Sequence, residues 1–588
     1  MRGGQLARGL QVPLSALRRV VGEDVLVARL VLAYTVLQLA VLGWDLPSAV
    51  SWENDGVAPR DFLHGVVENL TWGHAHRYPL FHNLLLLLLC APVLLGFVLA
   101  GSLSVPTITA RVLSVPCMTA VTITVRLVHV GMAACSLLVL ARIARRLFGR
   151  TAGRFALLCV MSCLTISYYG RASNLDGPYM FWTILALDRV LDVLERGETR
   201  DYLLLGFFVA ASVATKDQAY AAYVLTLPLY LFVLPWLSSA RAAAGSRHLG
   251  LLVRSGASFL ASYAVMTGAI VNPAGFVTRV RMLLGPNSED WRTYAHGATG
   301  LWLNLRDLWA AQTVFFWNAG VVAACWLGVA LAALRMVGPG AGSRVPALLP
   351  MTAGLSSVVA FTLPVARCEH RFMLPLSVWL CVYGGAAIAW CWRSSWTRVL
   401  AALACAALVL SFWQCVCLAL SQWGDGRREV ERYLAGLPPG STVEVYGSNV
   451  FFPRFDTSQN APYRVQRVGK EPVSARARLP GVREIQASYG QLGWRRPDVI
   501  VVERGFAQRF LPRRLRPGEV VSLEWQRAQA DEDALRYFRS AADGTLAGYR
   551  RALVANAGLP GWAAALGGKP VRIHDSTADT LWLFVQER

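Results

Sequence analysis

Residues 124–154 read TVRLVHVGMAACSLLVLARIARRLFGRTAGR, an apolar run that ends in a cluster of arginines. The apolar part, 124–141, is close to the roughly 20 residues that a helix needs to cross a bilayer. The basic part, 142–154, follows at once, as is typical of loops that stay on the cytoplasmic side. The stretch therefore predicts a membrane-spanning helix whose C-terminal end faces the cytoplasm.

The composition extends this prediction to most of the chain. Of the 588 residues, 55% are hydrophobic and only 16% are charged, and the mean hydropathy is +0.42. Soluble domains carry about 25% charged residues. The net charge of +21 would suit a nucleic-acid binder, but the arginines fall in short clusters between apolar runs rather than on one aromatic-rich patch. We therefore expect a membrane protein with no nucleic-acid partner.

Windows of membrane-spanning length recur along the chain. We place spans near 25–44, 124–141, 154–170, 178–194, 203–215, 219–237, 255–271, 309–334, 346–363, 373–392 and 399–420. Basic clusters fall in every second loop, at Arg18 and Arg19, 142–154, 195–200, 241–248, 335–344 and 392–398. The alternation predicts a multi-pass protein of the cell (inner) membrane, with the N-terminus in the cytoplasm and the C-terminal region outside.

Two apolar runs do not fit a plain count of crossings. The run 80–101 is long enough to span, but as a single crossing it would place the cluster 142–154 outside. It lies in the interface, or it pairs with 106–123 as an extra hairpin, so we expect eleven to thirteen spans. TKDQ (215–218) interrupts the run 203–237. A polar corner at membrane depth is tolerated only against protein or a water-filled cavity.

The composition changes at about position 424. Residues 424–588 are polar, with predicted strands at 442–452, 497–503 and 580–587 and predicted helices at 428–437 and 531–542. All cysteines precede position 418, mostly inside apolar runs, so we predict no disulfide framework. The expected fold is mainly α. A transmembrane module, 1–423, has its first outer loop at about 45–123, and 424–588 forms a soluble α/β extracytoplasmic domain.

The predicted topology gathers unusual polar residues on the outer face. They are Glu53, Asp55, His74, His76, Arg77, Arg126, Arg171, Asn174, Asp176, Lys216, Asp217, Glu289, Asp290, His296, Arg367, Glu369, His370 and Arg371. Outer loops are polar because they face water, and this explanation suffices for Glu289 and Asp290. Asp55 and Asp176 adjoin helix ends, where a half-buried carboxylate is costly without a partner or a function. Arg126 could simply extend its charge to the interface.

Two carboxylates and several cations around one cavity suit group transfer from a phosphate. A carboxylate can take the proton of an attacking acceptor. Cations, or a carboxylate-bound metal, can neutralise the charge that develops on a departing phosphate. Arginine binds phosphate through its fork of donors and lysine as a point charge. A cavity half in lipid suits a substrate with a lipid tail and a polar head.

The order of the motifs resembles a known family. An acidic pair in WEND (52–55) and an HRYP element (76–79) precede the arginine-rich stretch quoted above. YYGRASNLDGPYMFW (168–182), TKDQ and HRFMLP (370–375) follow it. Over about residues 20–390 this order is similar to the C-type (GT-C) membrane glycosyltransferases, above all the protein O-mannosyltransferases and the aminoarabinose transferases.

The resemblance implies an enzyme that moves a sugar from a polyprenyl-phosphate donor to an acceptor on the outer face, with inversion at the anomeric carbon. It implies Asp55 as base, with Glu53 as the alternative, and Asp176 as the residue that positions the acceptor or a metal. Phosphate binding maps to Lys216, Arg371 and Arg126, with His370 beside Arg371, and the donor head group to His76 and Arg77. Protein, lipid and glycan acceptors stay open, and so does a divalent metal cofactor.

Other functions share parts of this pattern. Charges within the membrane and a broken helix also suit a transporter or a flippase for lipid-linked sugars. Such proteins usually show repeated halves, and the sequence shows none. An assembly protein whose outer domain does the work is a third hypothesis.

Overall fold

The computed structural model describes residues 24–237, 245–285, 291–316, 318–336, 345–456, 461–476, 479, 481–573, 577 and 580–587. Glu289, Asp290, Arg18 and Arg19 lie outside these ranges.

Helices form the first two-thirds of the chain. They are α1 (Val25–Leu39), α2 (Asp61–Leu70), α3 (Leu80–Leu99), α4 (Val105–Val112), α5 (Val115–Phe148), α6 (Arg150–Met161), α7 (Leu164–Tyr169), α8 (Asp176–Glu195), α9 (Thr199–Thr215), α10 (Thr226–Pro228), α11 (Leu234–Leu237), α12 (Gly245–Met266), α13 (Pro273–Leu284), α14 (Ala298–Phe316), α15 (Ala319–Leu334), α16 (Leu349–Ser357), α17 (Leu374–Arg393) and α18 (Arg398–Trp423). Single turns of 3₁₀-helix lie at Asp217–Ala222, Val345–Leu348 and His370–Met373, and π-helical turns at Leu229–Val233 and Val358–Thr362.

The chain is a polytopic membrane protein. Within the described ranges, six helical stretches are long and apolar enough to cross a membrane, and α14 with α15 would make a seventh as one bent span. The other predicted spans form helices that are short, such as α1 and α9, or charged, such as α8. Length and composition alone therefore do not reach the expected count of eleven to thirteen.

The arginine-rich loops gather at one end of the bundle. Asp24, which caps α1, pairs with Arg150 and Arg154. Arg146 pairs with Glu195 at 2.8 Å, which brings the loop 195–200 to the same end. At the opposite end the chain that follows α1 meets the N-terminal half of α5. The alternation in the sequence thus corresponds to a bundle with one basic end.

The run 80–101 forms α3, which pairs with the N-terminal half of α5. His82 and His129 face each other with their Nε2 atoms 3.0 Å apart, and Cys90 lies in one apolar cluster with Cys117. The partner of α3 is thus one continuous helix, and the run 106–123 is divided between α4 and the start of α5 instead of forming the separate hairpin partner that one alternative predicted. Ser114 caps α5 and Pro116 occupies its first turn, so the helix begins earlier than predicted. Arg126 therefore lies about three turns inside the helix rather than at its end.

The core of the bundle surrounds α17. This helix is buried along its length, which explains why its sequence is almost continuously apolar. It packs against α6, α15 and α16. Because α17 follows HRFMLP directly, the core fixes the position of that motif at the end of the bundle opposite the basic loops.

The C-terminal region forms the predicted α/β domain. Its strands are β1 (Ser441–Val445), β2 (Tyr463–Gly469), β3 (Val482–Gln486), β4 (Val499–Glu503), β5 (Tyr549–Ala555) and β6 (Leu581–Gln586), in one sheet of order β3-β2-β1-β4-β6-β5. The first four strands are parallel, and β6 pairs antiparallel with both β4 and β5. Helices cover the sheet at Arg427–Ala435, Leu492–Arg495, Arg504–Gln508, Leu523–Gln529, Glu532–Asp543 and Gly561–Ala565.

The domain docks on the first outer loop through two tryptophans. The guanidinium of Arg427 lies 4.0 Å from the centre of the Trp52 ring, and its partner Asp425 accepts a 3.0 Å hydrogen bond from Trp44 Nε1. Arg454 donates to Leu46 O at 2.5 Å. The side chains of Trp44, Trp52, Asp425 and Arg427 are all buried, so the contact between the domain and the loop is closely packed.

A second contact joins the domain to the loop before α14. The backbone of a strap, residues 516–520, pairs with 293–295: Ala295 N–H donates to Gly518 O at 2.8 Å, and Val520 N–H to Thr293 O at 3.0 Å. Arg516 of the strap binds Asp307. Thr293 also donates to Ala366 O at 3.1 Å, so the strap supports the segment that leads into HRFMLP.

Candidate active site

The first outer loop is held by a buried cluster of charges. The guanidinium of Arg126 lies 3.0 Å from Asp45 and 3.1 Å from Glu53, and all three side chains are almost completely buried. Glu53 also accepts a 2.7 Å hydrogen bond from the backbone N–H of Ser173. Burial raises the pKa of Asp45, and the charge of Arg126 opposes this rise. Together these contacts tie the loop to α5 and to the loop before α8.

Asp55 follows this anchor in an unusual backbone conformation. Its φ of 56° is in the left-handed region, which aspartate tolerates better than most residues. A Cβ on the next residue, Gly56, would lie 2.7 Å from Ser173 Oγ, so only glycine fits there. The turn carries the half-buried carboxylate of Asp55 to the guanidinium of Arg371, with which it forms an ion pair. Strain of this kind often marks a functional position.

A second carboxylate is paired in the same region. Asp176 begins α8, where the helix dipole favours a negative charge. Its Oδ1 accepts hydrogen bonds from Lys216 Nζ at 2.7 Å and from Gln218 Nε2 at 3.3 Å. Lys216 lies where α9 ends in extended backbone and a 3₁₀ turn begins. The TKDQ sequence therefore interrupts the helix at the position where Lys216 pairs with Asp176.

The ion pairs Asp55–Arg371 and Asp176–Lys216 form one cluster. The charges of Asp55 and Arg371 act on Lys216, and the charge of Asp176 acts on Arg371. Tyr78 is buried beside the same charges. Burial raises the pKa of Tyr78 far above its ordinary value, so its hydroxyl stays protonated and can donate a hydrogen bond.

The HRYP element adds a third cation. Arg77 lies 3.8 Å from Asp55 Oδ1 and donates to Asp61 Oδ2 at 3.0 Å. Its neighbour His76 is buried and lies 3.5 Å from Asp61. Burial alone would raise the pKa of Asp61, but bonds from His76 and Arg77 bring it below the ordinary value. Asp61 is thus an anion that orients both residues.

Arg279 is a neighbour of the site that was not predicted from the sequence. It comes from α13 and is buried, where it pairs with Asp217 and donates to the backbone oxygens of His76 and Arg77. No motif marks it, because its partners lie about 60 and 200 residues away in the chain. Its effect is to hold the HRYP element against the TKDQ corner.

The candidate residues fall into two groups. The structure brings Asp55, Asp176, Lys216, Arg371 and Arg77 together, with His370 half-buried beside Arg371 in the 3₁₀ turn. The described contacts of Glu53 and Arg126 are instead within the anchor of the first loop.

The carboxylates of the cluster do not offer a ready site for a divalent metal. Asp55 faces Arg371 and Arg77, and Asp176 faces Lys216. A divalent ion between these carboxylates would have to displace the side-chain cations. Among the described residues, Asp176 Oδ2 is a buried oxygen without a hydrogen-bond partner, so one acceptor position in the cluster is open.

Comparison with known proteins gives one sequence family and several structures. Residues 112–255 match the family described as dolichyl-phosphate-mannose-protein mannosyltransferase. A comparison with curated protein sequences gives no significant match. The fold is similar to that of ArnT from Cupriavidus metallidurans, crystallised with undecaprenyl phosphate, at 15% identity and a TM-score of 0.47 over 83% of this chain and 94% of that one.

An archaeal oligosaccharyltransferase is also similar in structure. AglB from Archaeoglobus fulgidus, solved with an inhibitory peptide and a dolichol-phosphate, gives 10% identity and a TM-score of 0.41 over 95% of this chain and 88% of that one. The family match runs from α5 through α11 into α12 and includes both Asp176 and Lys216. Over this part the chain is similar to the protein mannosyltransferases, one of the families that the motifs resemble.

Proposed function

We propose that the protein transfers a sugar from a polyprenyl-phosphate donor to an acceptor on the outer face of the membrane, with inversion at the anomeric carbon. The observation that carries the proposal is the meeting of Asp55, Asp176, Lys216 and Arg371, which come from four separate segments of the chain. Two carboxylates and two cations at the end of a membrane bundle are the groups that this reaction needs.

Asp55 is the base in this proposal. It accepts the proton of the acceptor group as the acceptor attacks C1 of the sugar. The C1–O bond to the phosphate breaks on the opposite face, and the phosphate leaves with the bonding electrons. Before the donor binds, Arg371 neutralises Asp55. A bound phosphate would attract Arg371 and Lys216, because an arginine fork fits phosphate, and this would free the carboxylate to act.

Asp176 positions the acceptor in this proposal. Its Oδ1 is bound by Lys216 and Gln218, while its Oδ2 is free to accept a hydrogen bond among the described residues. Arg77 lies 3.8 Å from Asp55 and would face the donor head group. Glu53 and Arg126 hold the loop, because their charges are already paired with each other in the interior.

The bundle's charge distribution supports an orientation in which the cluster faces outward. The basic loops lie at one end and the cluster at the other. The positive-inside bias places basic loops in the cytoplasm. The cluster and the C-terminal domain then face the extracytoplasmic side of the inner membrane, where membrane lipid delivers the donor.

The test is transfer by the purified protein from a radiolabelled polyprenyl-phosphate sugar to candidate protein, lipid and glycan acceptors. We expect labelled product, or slow release of sugar to water, from the wild type and none from Asp55→Asn. Movement of intact labelled lipid across vesicles without cleavage of the phosphate bond would instead support a flippase. Near-wild-type transfer by Asp55→Asn would remove Asp55 as the base.

A further inference from the structure

We propose that the first outer loop binds a divalent transition metal through His64, Glu68 and His76, separately from the Asp55 cluster. A ring nitrogen of each histidine and a carboxylate oxygen of Glu68 all lie within 4.8 Å of one another. Two imidazoles and one carboxylate, with a solvent position left open, form a donor set that zinc accepts. The transfer reaction proposed above assigns no step to any of the three residues, although the family resemblance maps the donor head group to His76 together with Arg77.

The helix α2 presents the ligands on one face. His64 and Glu68 are four residues apart, so they lie one turn apart on the same side, with His64 Nδ1 3.5 Å from Glu68 Oε2. Ligand atoms around a tetrahedral zinc ion are separated by about 3.4 Å, given bonds of about 2.1 Å. The helical pair therefore needs little movement to bind an ion.

The fold packs the third ligand, His76, against this face of α2. His76 is buried, and its ring centre lies 6.0 Å from that of His64. A Cβ on Gly65 would come within 2.9 Å of His76 Nδ1, so glycine at this helical position is what lets the imidazole approach. A helix does not otherwise favour glycine, which costs about 1 kcal/mol relative to alanine.

One nitrogen of His76 has the neighbour that a metal-bound histidine commonly has. Nε2 lies 3.5 Å from Asp61 Oδ1, on the turn of α2 before His64. Ligand histidines usually donate their second N–H to a carboxylate, which fixes the ring and its tautomer. Nδ1 would then face the metal, and the long 3.3 Å contact from the backbone N–H of Tyr78 would give way to it.

The bound metal would fix the HRYP element. Arg77 follows His76 and reaches both Asp61 and Asp55, so an ion at His76 would restrict the position of Arg77. We expect the metal to stabilise the loop, whereas the transfer chemistry stays with the Asp55 cluster.

The experiment measures binding, so it is independent of the proposed transfer. The full chain, purified through an affinity tag without histidines and freed of metal with chelator, is titrated with Zn²⁺ by calorimetry and with Co²⁺ by visible absorption. We expect one equivalent to bind and Co²⁺ to give the absorption of a tetrahedral site. His64→Ala and Glu68→Ala should abolish this binding, and Asp61→Asn should weaken it by about 10- to 100-fold.

The matched control is His74→Ala. His74 is exposed in the same loop but does not belong to the cluster, so this variant should bind as the wild type does. His64 is 65% exposed, so its loss should not affect folding, which a thermal unfolding curve without metal checks. Equal Zn²⁺ binding by the wild type and by the double variant His64→Ala/Glu68→Ala, or no binding by the wild type, would overturn the proposal.

Discussion

Asp55 and Arg371 form an ion pair although they are 316 residues apart in the chain. Asp55 lies in a turn of the first outer loop, and Arg371 in the 3₁₀ turn that leads into the buried helix α17. The Arg126 cluster holds the segment that contains Asp55, and the bundle core holds the segment that contains Arg371. The pair therefore couples two rigid parts of the molecule, and it is the contact that a donor phosphate would have to reorganise.

Arg371→Lys tests this coupling. Lysine keeps the charge but loses the planar fork that can hold a carboxylate and a phosphate together. We expect the KM for the lipid-phosphate donor to rise about tenfold, corresponding to about 1.4 kcal/mol, with a smaller change in kcat. Initial rates at varied donor concentration measure this. An unchanged KM would show that Arg371 does not contact the donor.

Lys216 and Asp176 allow a double-mutant test. Lys216→Met leaves the buried Asp176 carboxylate without its cation, which should cost about 3–5 kcal/mol of stability. Adding Asp176→Asn removes the uncompensated charge and should restore most of that loss, without restoring transfer. Thermal unfolding in detergent and the transfer assay give the two readouts. If the double variant transfers sugar at the wild-type rate, neither side chain takes part in the reaction.

Glu53→Gln separates the anchor from the base. Glu53 accepts hydrogen bonds from Arg126 with one oxygen and from Ser173 with the other. In glutamine one of these oxygens becomes an NH₂ group, which would face an N–H donor of Arg126 or Ser173. We expect the unfolding temperature to fall, because one donor is left without an acceptor in the interior and Arg126 keeps only Asp45 as a buried anion. Asp55→Asn should lower the unfolding temperature less, because Arg371 keeps Glu369 as a partner, and it should abolish transfer. The reverse pattern would make Glu53 the base.

Arg516→Ala tests the strap of the C-terminal domain. Loss of the Arg516–Asp307 pair should loosen the contact of 516–520 with 293–295, which also binds the backbone near Arg371. Small displacements of positioned groups lower rates, so we expect kcat to fall by about tenfold and the donor KM to change less. The control is Lys470→Ala, because Lys470 pairs with Asp531 and Asp533 inside the domain at similar exposure. Equal losses in both variants would contradict a specific role of the strap.

The strap should also respond to acid. Burial alone would raise the pKa of Glu519, but bonds from Arg516 bring it below the ordinary value. A carboxylate whose pKa is lower in the folded state stabilises that state at pH values above its unfolded pKa of about 4.3. This stabilisation is lost as the pH falls through the folded pKa. The difference in unfolding temperature between the wild type and Glu519→Gln should be constant above about pH 5 and shrink below it. A difference that grows on acidification would contradict this.

Much of the architecture follows from local sequence. The predicted strands at 497–503 and 580–587 appear as β4 and β6, and the predicted helix at 531–542 appears as Glu532–Asp543. The strands form where the sequence has short, nearly continuous apolar runs, and the helix forms where apolar residues recur at helical spacing; short windows of sequence contain both signals. The basic clusters also predicted which loops share an end of the bundle, because charge bias acts on each loop separately.

The partners of the charged residues were decided by tertiary structure alone. The sequence marked Arg126, Glu53 and Asp55 as unusual, but nothing local indicates that Arg126 binds Glu53 while Arg371 binds Asp55. It gave no sign of Arg279. An ion pair depends on the distance between two side chains, and for residues far apart in the chain that distance is set by helix packing. Hydrophobic periodicity thus determined the elements, and the packing of those elements selected which of the many acids and bases meet.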